Sequence, residues 1–283
     1  MFRKALVLAY LLAGACVAAT ALRGASFYST PLPQRARHPG YWSYKAGGSV
    51  GHPLGVAGST MLLLLLGYSV RKRVRVLRRL GPLSRWLDVH IFLGLLGPVL
   101  VVLHSSFKVQ GLVALSFWSM VVVALSGVVG RYLYLQIPRT RAGEAISLKE
   151  LEAQDRLLSR RLSLEFGLDE SALRRLETLS TPPPSRGLLT LLLGLLRDDL
   201  RRGRELRAFV RSCRGVPASL LRDLERLARQ KHALHRRLLV WDGLHELFHY
   251  WHVVHKPFAV VMYLFMVVHV AVALATGYAW GTS

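Results

Sequence analysis

Apolar residues run almost unbroken through five stretches of the chain, about 5–22, 54–70, 86–107, 111–135 and 257–280. A helix climbs about 1.5 Å per residue and needs about 20 apolar residues to cross the hydrocarbon core, so each stretch predicts a spanning helix. The first has a second reading. Phe2-Arg3-Lys4, the apolar run and Ala19-Thr20-Ala21 also fit a cleavable signal peptide. Between about 136 and 256 the pattern turns polar. Ser147-Leu148-Lys149-Glu150 has capping-box spacing, and LKELEAQDRLLSRRLSLEF continues with helical periodicity. TPPPS, 181–185, predicts a break. GLLTLLLGLL, 187–196, is too short to span and predicts an interfacial or packed helix, extended as a basic amphipathic face to about Arg211. Pro217 suits the first turn of a further helix, from about Ala218 nearly to the fifth span.

Composition and charge add an orientation. The chain is 52% hydrophobic with a mean hydropathy of +0.32, more apolar than a soluble core requires. The net charge of +22 lies mainly beside apolar runs and no nucleic-acid motif accompanies it, so a membrane is expected as partner and nucleic acid is not. RKRVRVLRRLGPLSR, 71–85, carries seven Arg and Lys and no acid, which places the connection between the second and third spans in the cytoplasm. The expected organisation is then a first span or signal peptide (1–22), an outer loop (23–53), spans two to four (54–135), a cytoplasmic helical insert (136–256) and a fifth span with an outer C-terminus, GYAWGTS (257–283). The insert holds 15 of the 16 acidic residues. Cys16 and Cys213 form no CxxC or CxxCH motif, which argues against a disulfide framework, a zinc site, a thiolate-held cluster and covalently attached haem.

Histidine carries the candidate chemistry. DVHIFLGLLGPVLVVLHSSFK, 88–108, sets His90 and His104 fourteen positions apart, on one helix face and about 21 Å apart along the axis. Gly94 and Gly97 share that face and would let a large flat group approach the backbone. HKPFAVVMYLFMVVH repeats the interval with His255 and His269, with Ala259, Met262 and Met266 on their face. Ionisable groups inside a membrane are expensive and rare. The third and fifth spans run in the same direction by the charge argument, so His90 pairs with His255 at one level and His104 with His269 at the other. Two separated levels suit two bis-histidine haems better than a zinc or copper ion, whose ligands converge on one point.

An H-x13-H pair on each of two like-oriented spans resembles the transmembrane dihaem b cytochromes, most closely the ferric reductase-like and NADPH-oxidase-like domain. It is more distantly similar to cytochrome b of quinol-oxidising complexes and to the cytochrome b561 group. The resemblance covers about residues 54–135 and 250–280. It implies an all-α membrane fold with a four-helix haem-binding core, two haem b, and His90, His104, His255 and His269 as iron ligands. No GxGxxG-type fingerprint occurs, so electrons are expected from a separate redox protein or from a quinol, with quinone as a second cofactor.

Other residues keep two readings each. His252 rivals His255 as ligand, although its interval of seventeen to His269 matches the other pair less well. His245 and His249 continue the stripe, as a metal, proton-relay or quinone site or as an interfacial belt beside Tyr250 and Trp251. Arg131 suits either a haem propionate or a snorkelling position at the boundary, and Lys108 is similar. Asp88 reads as a ligand-orienting group or a solvated carboxylate of a first helical turn. His38 and His52 lie in the outer loop with Tyr41, Trp42 and Tyr44, and either cover a haem, dock a partner or do neither. The expected function is transmembrane electron transfer from a cytoplasmic donor or quinol to an outer acceptor, in the bacterial inner membrane. Assembly into an oligomer or larger complex is compatible with it. The alternatives are a ferric or metal reductase-type enzyme and a haem-free scaffold or transporter subunit.

Overall fold

A computed structural model describes residues 1–137, 146–181, 187–213 and 216–277. Among them all regular structure is helical: α1 Phe2–Arg23, α2 Ala25–Ser29, α3 Tyr41–Tyr44, α4 Gly51–Leu64, α5 Leu66–Arg73, α6 Leu83–Ser105, α7 Leu112–Gln136, α8 Leu148–Phe166, α9 Glu170–Ser180, α10 Leu188–Ser212, α11 Leu221–Leu239 and α12 Trp241–Ala275. Five stretches are long and apolar enough to cross a membrane: α1, the α4–α5 run, α6, α7 and α12. This is the make-up of a multi-pass membrane protein. The chain divides into two units, residues 1–129 with 252–283, and residues 130–251. The break expected at TPPPS and the C-terminal GYAWGTS lie largely outside the described residues.

The first unit is organised by α4 against α6, its most extensive helix contact. Gly51, Gly55, Gly58 and Leu62 are the buried positions on the α4 face. A Cβ at Gly58 would stand 2.8 Å from the Val101 side chain and 3.1 Å from the Gly97 carbonyl, so the two backbones meet where neither has a side chain. Small residues at the seam are how helices approach in a medium that gives no hydrophobic drive for association. Gly97 is therefore in contact with α4, next to Gly58 and Met61, and Gly94 faces Leu65. Near Leu65 the helix tightens, with Tyr68 N donating to the Leu65 carbonyl three residues back at 3.2 Å. Leu62, Leu65, Met120, Met262 and Met266 close an apolar cluster among α4, α7 and α12. Tyr263 donates to the Leu62 carbonyl at 2.6 Å and Ser116 to the Met262 carbonyl at 2.9 Å.

The C-terminal end of α6 is pinned by the loop that precedes α4. Ser106 and Phe107 both take positive φ, an uncommon backbone for residues with side chains. Ser106 Oγ donates to the Tyr44 carbonyl at 2.7 Å, and buried Arg35 donates to the carbonyls of Ser106, Tyr28 and Thr30.

In the second unit the capping box is present: Ser147 N donates to Glu150 Oε2 at 3.0 Å and Glu150 N to Ser147 Oγ at 3.3 Å. The apolar run 187–196 proves to be the start of α10, a packed helix. Its Leu191 and Leu195 join Leu133, Val240, Leu244 and Leu247, while its Leu206, Phe209 and Val210 join Leu162, Leu176 and Leu224. Two sets of buried charges cross-brace the unit. Lys231, 1% exposed, binds Asp155 at 2.6 Å and Glu177 at 3.0 Å. Arg236, 2% exposed, binds Asp198 at 2.5 Å, Asp199 at 2.8 Å and the Gln136 side-chain carbonyl at 3.1 Å.

Two boundaries differ from expectation. Helix α12 begins at Trp241, so the histidine-rich approach and the fifth span are one continuous helix. Its length of about 52 Å exceeds the roughly 30 Å hydrocarbon core. Helix α6 begins at Leu83, which puts Asp88 past the first turn and half-buried, not in a solvated first turn.

Gly58→Leu is expected to separate α4 from α6 and lower the thermal midpoint of the detergent-solubilised protein by several degrees, whereas Gly97→Ala, whose nearest contacts lie at 3.4 Å, leaves it nearly unchanged. Lys231→Met strands two carboxylates and should cost about 3 kcal/mol in denaturant unfolding of the full chain. Burial alone would raise the Asp155 and Asp198 carboxyls. Hydrogen bonds from His235 and Lys231 to the first, and from Arg236 to the second, outweigh it, with the opposite charges adding, and hold both below the usual range. Their stabilisation is therefore complete above about pH 4 and disappears as pH falls through the lower folded-state values, which an acid titration followed by circular dichroism will register.

Candidate functional site

The four histidines of the two H-x13-H pairs all lie in the first unit, on α6 and α12. His104 Nδ1 donates to the Gly51 carbonyl at 2.9 Å, and His90 Nδ1 to the Leu65 carbonyl at 3.2 Å. Gly51 and Leu65 are themselves fourteen residues apart on the second span, so the antiparallel register that sets Gly58 against Gly97 also gives each histidine its acceptor. Gly55 makes the outer end of this contact close. A Cβ there would lie 2.5 Å from His104 Nδ1.

His255 is held from α7. Ser126 Oγ lies 2.8 Å from His255 Nδ1 and 2.9 Å from the Val123 carbonyl. In the two α6 rings, whose partners are carbonyls, Nδ1 thus carries the proton, and Nε2 is the nitrogen with the lone pair. A metal-ligating histidine has this arrangement, its second nitrogen donating to a carbonyl or other acceptor that fixes tautomer and ring orientation.

The rings also pair across the two helices. His104 and His269 have centroids 6.5 Å apart with planes at 62°. Two imidazoles that ligate one iron from opposite sides, each nitrogen about 2 Å from it, have centroids about 6 Å apart. The α6 and α12 backbones do not pack closely on each other, as α4 and α6 do. The donor set and this spacing fit a flat group ligated from both faces.

The remaining sequence candidates are placed as follows. His252 lies within electrostatic range of His255. In the second unit His245 Nδ1 donates to the Trp241 carbonyl at 2.9 Å with the two rings 4.5 Å apart, and the His249 ring lies 5.7 Å from Tyr250. Arg131 lies 5.8 Å from the Tyr134 ring on its own helix. Lys108 is exposed beyond the end of α6. His38 packs on Phe27 at 5.6 Å and accepts from Gly40 N, while His52 is within electrostatic range of His104.

Among the described residues, Asp155, Glu177 and His235 are the group of ligand-type side chains that converge closely enough to hold an ion. The Lys231 ammonium already sits between the two carboxylates and supplies the cation, so the cluster is a buried ion-pair network. Sequence reasoning did not find Gly51, Gly55, Leu65 or Ser126. The glycine spacing in GHPLGVAGS was the available signal for the first two. Compared with protein-family models, curated proteins and solved structures, the chain matches none.

Proposed function

We propose that the chain is a dihaem b-type cytochrome that passes electrons across a membrane. The observation that carries the reading is the His104–His269 pair at 6.5 Å, on helices that each carry a second histidine, His90 and His255, fourteen residues away. His104 and His269 would hold one haem b, and His90 and His255 the other. When bound, the haem supplies one-electron exchange between ferric and ferrous iron.

The chain's own residues do the rest. The Gly51 and Leu65 carbonyls fix the protonated nitrogen of their histidines, present Nε2, and make the rings more basic, and Ser126 Oγ orients the His255 ring. The cluster of Leu62, Leu65, Met120, Met262 and Met266 excludes water from the span interior and lowers the local dielectric. The proposed setting is the bacterial inner membrane, with the basic 71–85 connection in the cytoplasm and the C-terminal residues outside. A quinol or a cytoplasmic redox protein is the donor, and the acceptor lies on the outer side.

A reduced-minus-oxidised spectrum of the purified protein is expected to show b-type bands. Their absence ends the proposal. His104→Ala and His269→Ala should each remove the same one of two haems, leaving about half the content, and His90→Ala and His255→Ala should each remove the other. Gly55→Ala is expected to behave like His104→Ala, because the new methyl group displaces the imidazole. Ser126→Ala should weaken haem retention at the His255 level about 10-fold or more.

A further inference from the structure

One face of α10 buries Leu191, Leu195, Leu206, Phe209 and Val210 in the second unit. The opposite face is apolar too, yet uncovered: Leu189, Leu193, Leu196 and Leu200 are 69%, 56%, 39% and 85% exposed. Steps of four, three and four keep these side chains within one narrow stripe. Continuing the same face toward the C-terminus, the stripe changes character to Arg204, Arg207 and Arg211, with Arg197 at its border, all exposed. Three turns of leucine followed by two turns of arginine on one face suit a surface that is apolar below and anionic above. A soluble partner of unknown sequence has no reason to supply both, but the headgroup boundary of a bilayer does, and this chain has five helices apolar enough to place it in one.

We infer that α10 lies in the membrane interface, its Leu189–Leu193–Leu196–Leu200 stripe inserted among acyl chains and Arg197, Arg204 and Arg207 on anionic lipid headgroups. Contact with lipid removes four leucine side chains from water without disturbing the buried face. The inference is independent of haem.

Lipid-quenching fluorescence on the full-length chain tests it. A fluorophore is attached at Leu193→Cys in a Cys16→Ser, Cys213→Ser background, and the protein is reconstituted into vesicles of phosphatidylcholine with phosphatidylglycerol. Replacing the phosphatidylcholine by its brominated form is expected to cut the emission by about half, while the same label at Glu205→Cys, on the flank of the helix, is unaffected. Adding Arg204→Gln and Arg207→Gln should reduce the quenching in phosphatidylglycerol-containing vesicles to its level in pure phosphatidylcholine. In the chain with native cysteines, those two arginine substitutions should also speed proteolytic cleavage within α10 in the anionic vesicles. Equal quenching at the two label positions overturns the inference. So does disulfide cross-linking of two copies through the Leu193→Cys thiol, which would assign the stripe to a second chain.

Discussion

The contact that Gly58 of α4 makes with Val101 and the Gly97 carbonyl of α6 is the constraint on which the first unit rests. Without a Cβ at Gly58, the helices approach until backbone meets side chain and carbonyl, and that closeness fixes an antiparallel register along both. A slip by one residue would turn the Gly51 and Leu65 carbonyls about 100° from the two histidines they receive. The spacing of the H-x13-H pair on α6 therefore has a matching interval in its neighbour, made of the main-chain acceptors Gly51 and Leu65. In a bilayer core, where an unsatisfied ring nitrogen is costly, such acceptors decide which face of the imidazole is presented.

This explains which parts of the molecule were legible in the sequence. Span number follows from apolar length alone, because the bilayer is a uniform solvent with one thickness, and the five stretches are found where hydropathy puts them. The histidine intervals are legible because helical geometry converts fourteen residues into a shared face. The acceptors are not, since a backbone carbonyl has no letter of its own: Leu65 is chosen by where the helix tightens, and Gly51 by register. Ser126 is a weak signal among many serines in apolar helices. The one helix expected from about Ala218 is two, α11 ending at Leu239 and α12 beginning at Trp241, and α12 continues through HELFHYWHVVH into the fifth span, Pro257 included. Asp88 was misplaced because Pro82 starts α6 earlier than the hydrophobic run does.

The second unit uses a different device. Lys231 and Arg236 are each almost fully buried, and each is bound by two carboxylates, Lys231 by Asp155 of α8 and Glu177 of α9, Arg236 by Asp198 and Asp199 of α10. Ions taken out of water recover the desolvation cost only when the geometry is this complete, so such pairs contribute little net stability while strongly penalising alternatives in which one partner is missing. In a unit with many similar leucine-rich helices, apolar faces alone would allow several packings. The charges on α11 admit those that bring Asp155, Glu177, Asp198 and Asp199 to the same two cations.

The proposed electron-transfer role draws its force from the difference between the two kinds of polar cluster in the chain. In the second unit, two carboxylates and a histidine gather around a lysine, whose ammonium already occupies the place a metal cation would take. In the first unit the ligand-type groups are imidazoles, two of which commit their Nδ1 protons to main-chain carbonyls, on helices that do not pack closely together. The His104 and His269 rings, 6.5 Å apart between centroids, stand farther apart than a direct hydrogen bond would hold them. The proposed group, large and ligated from both sides, would account for that separation and for the matching fourteen-residue intervals together. Structural histidines of a bundle core would need a separate explanation for each.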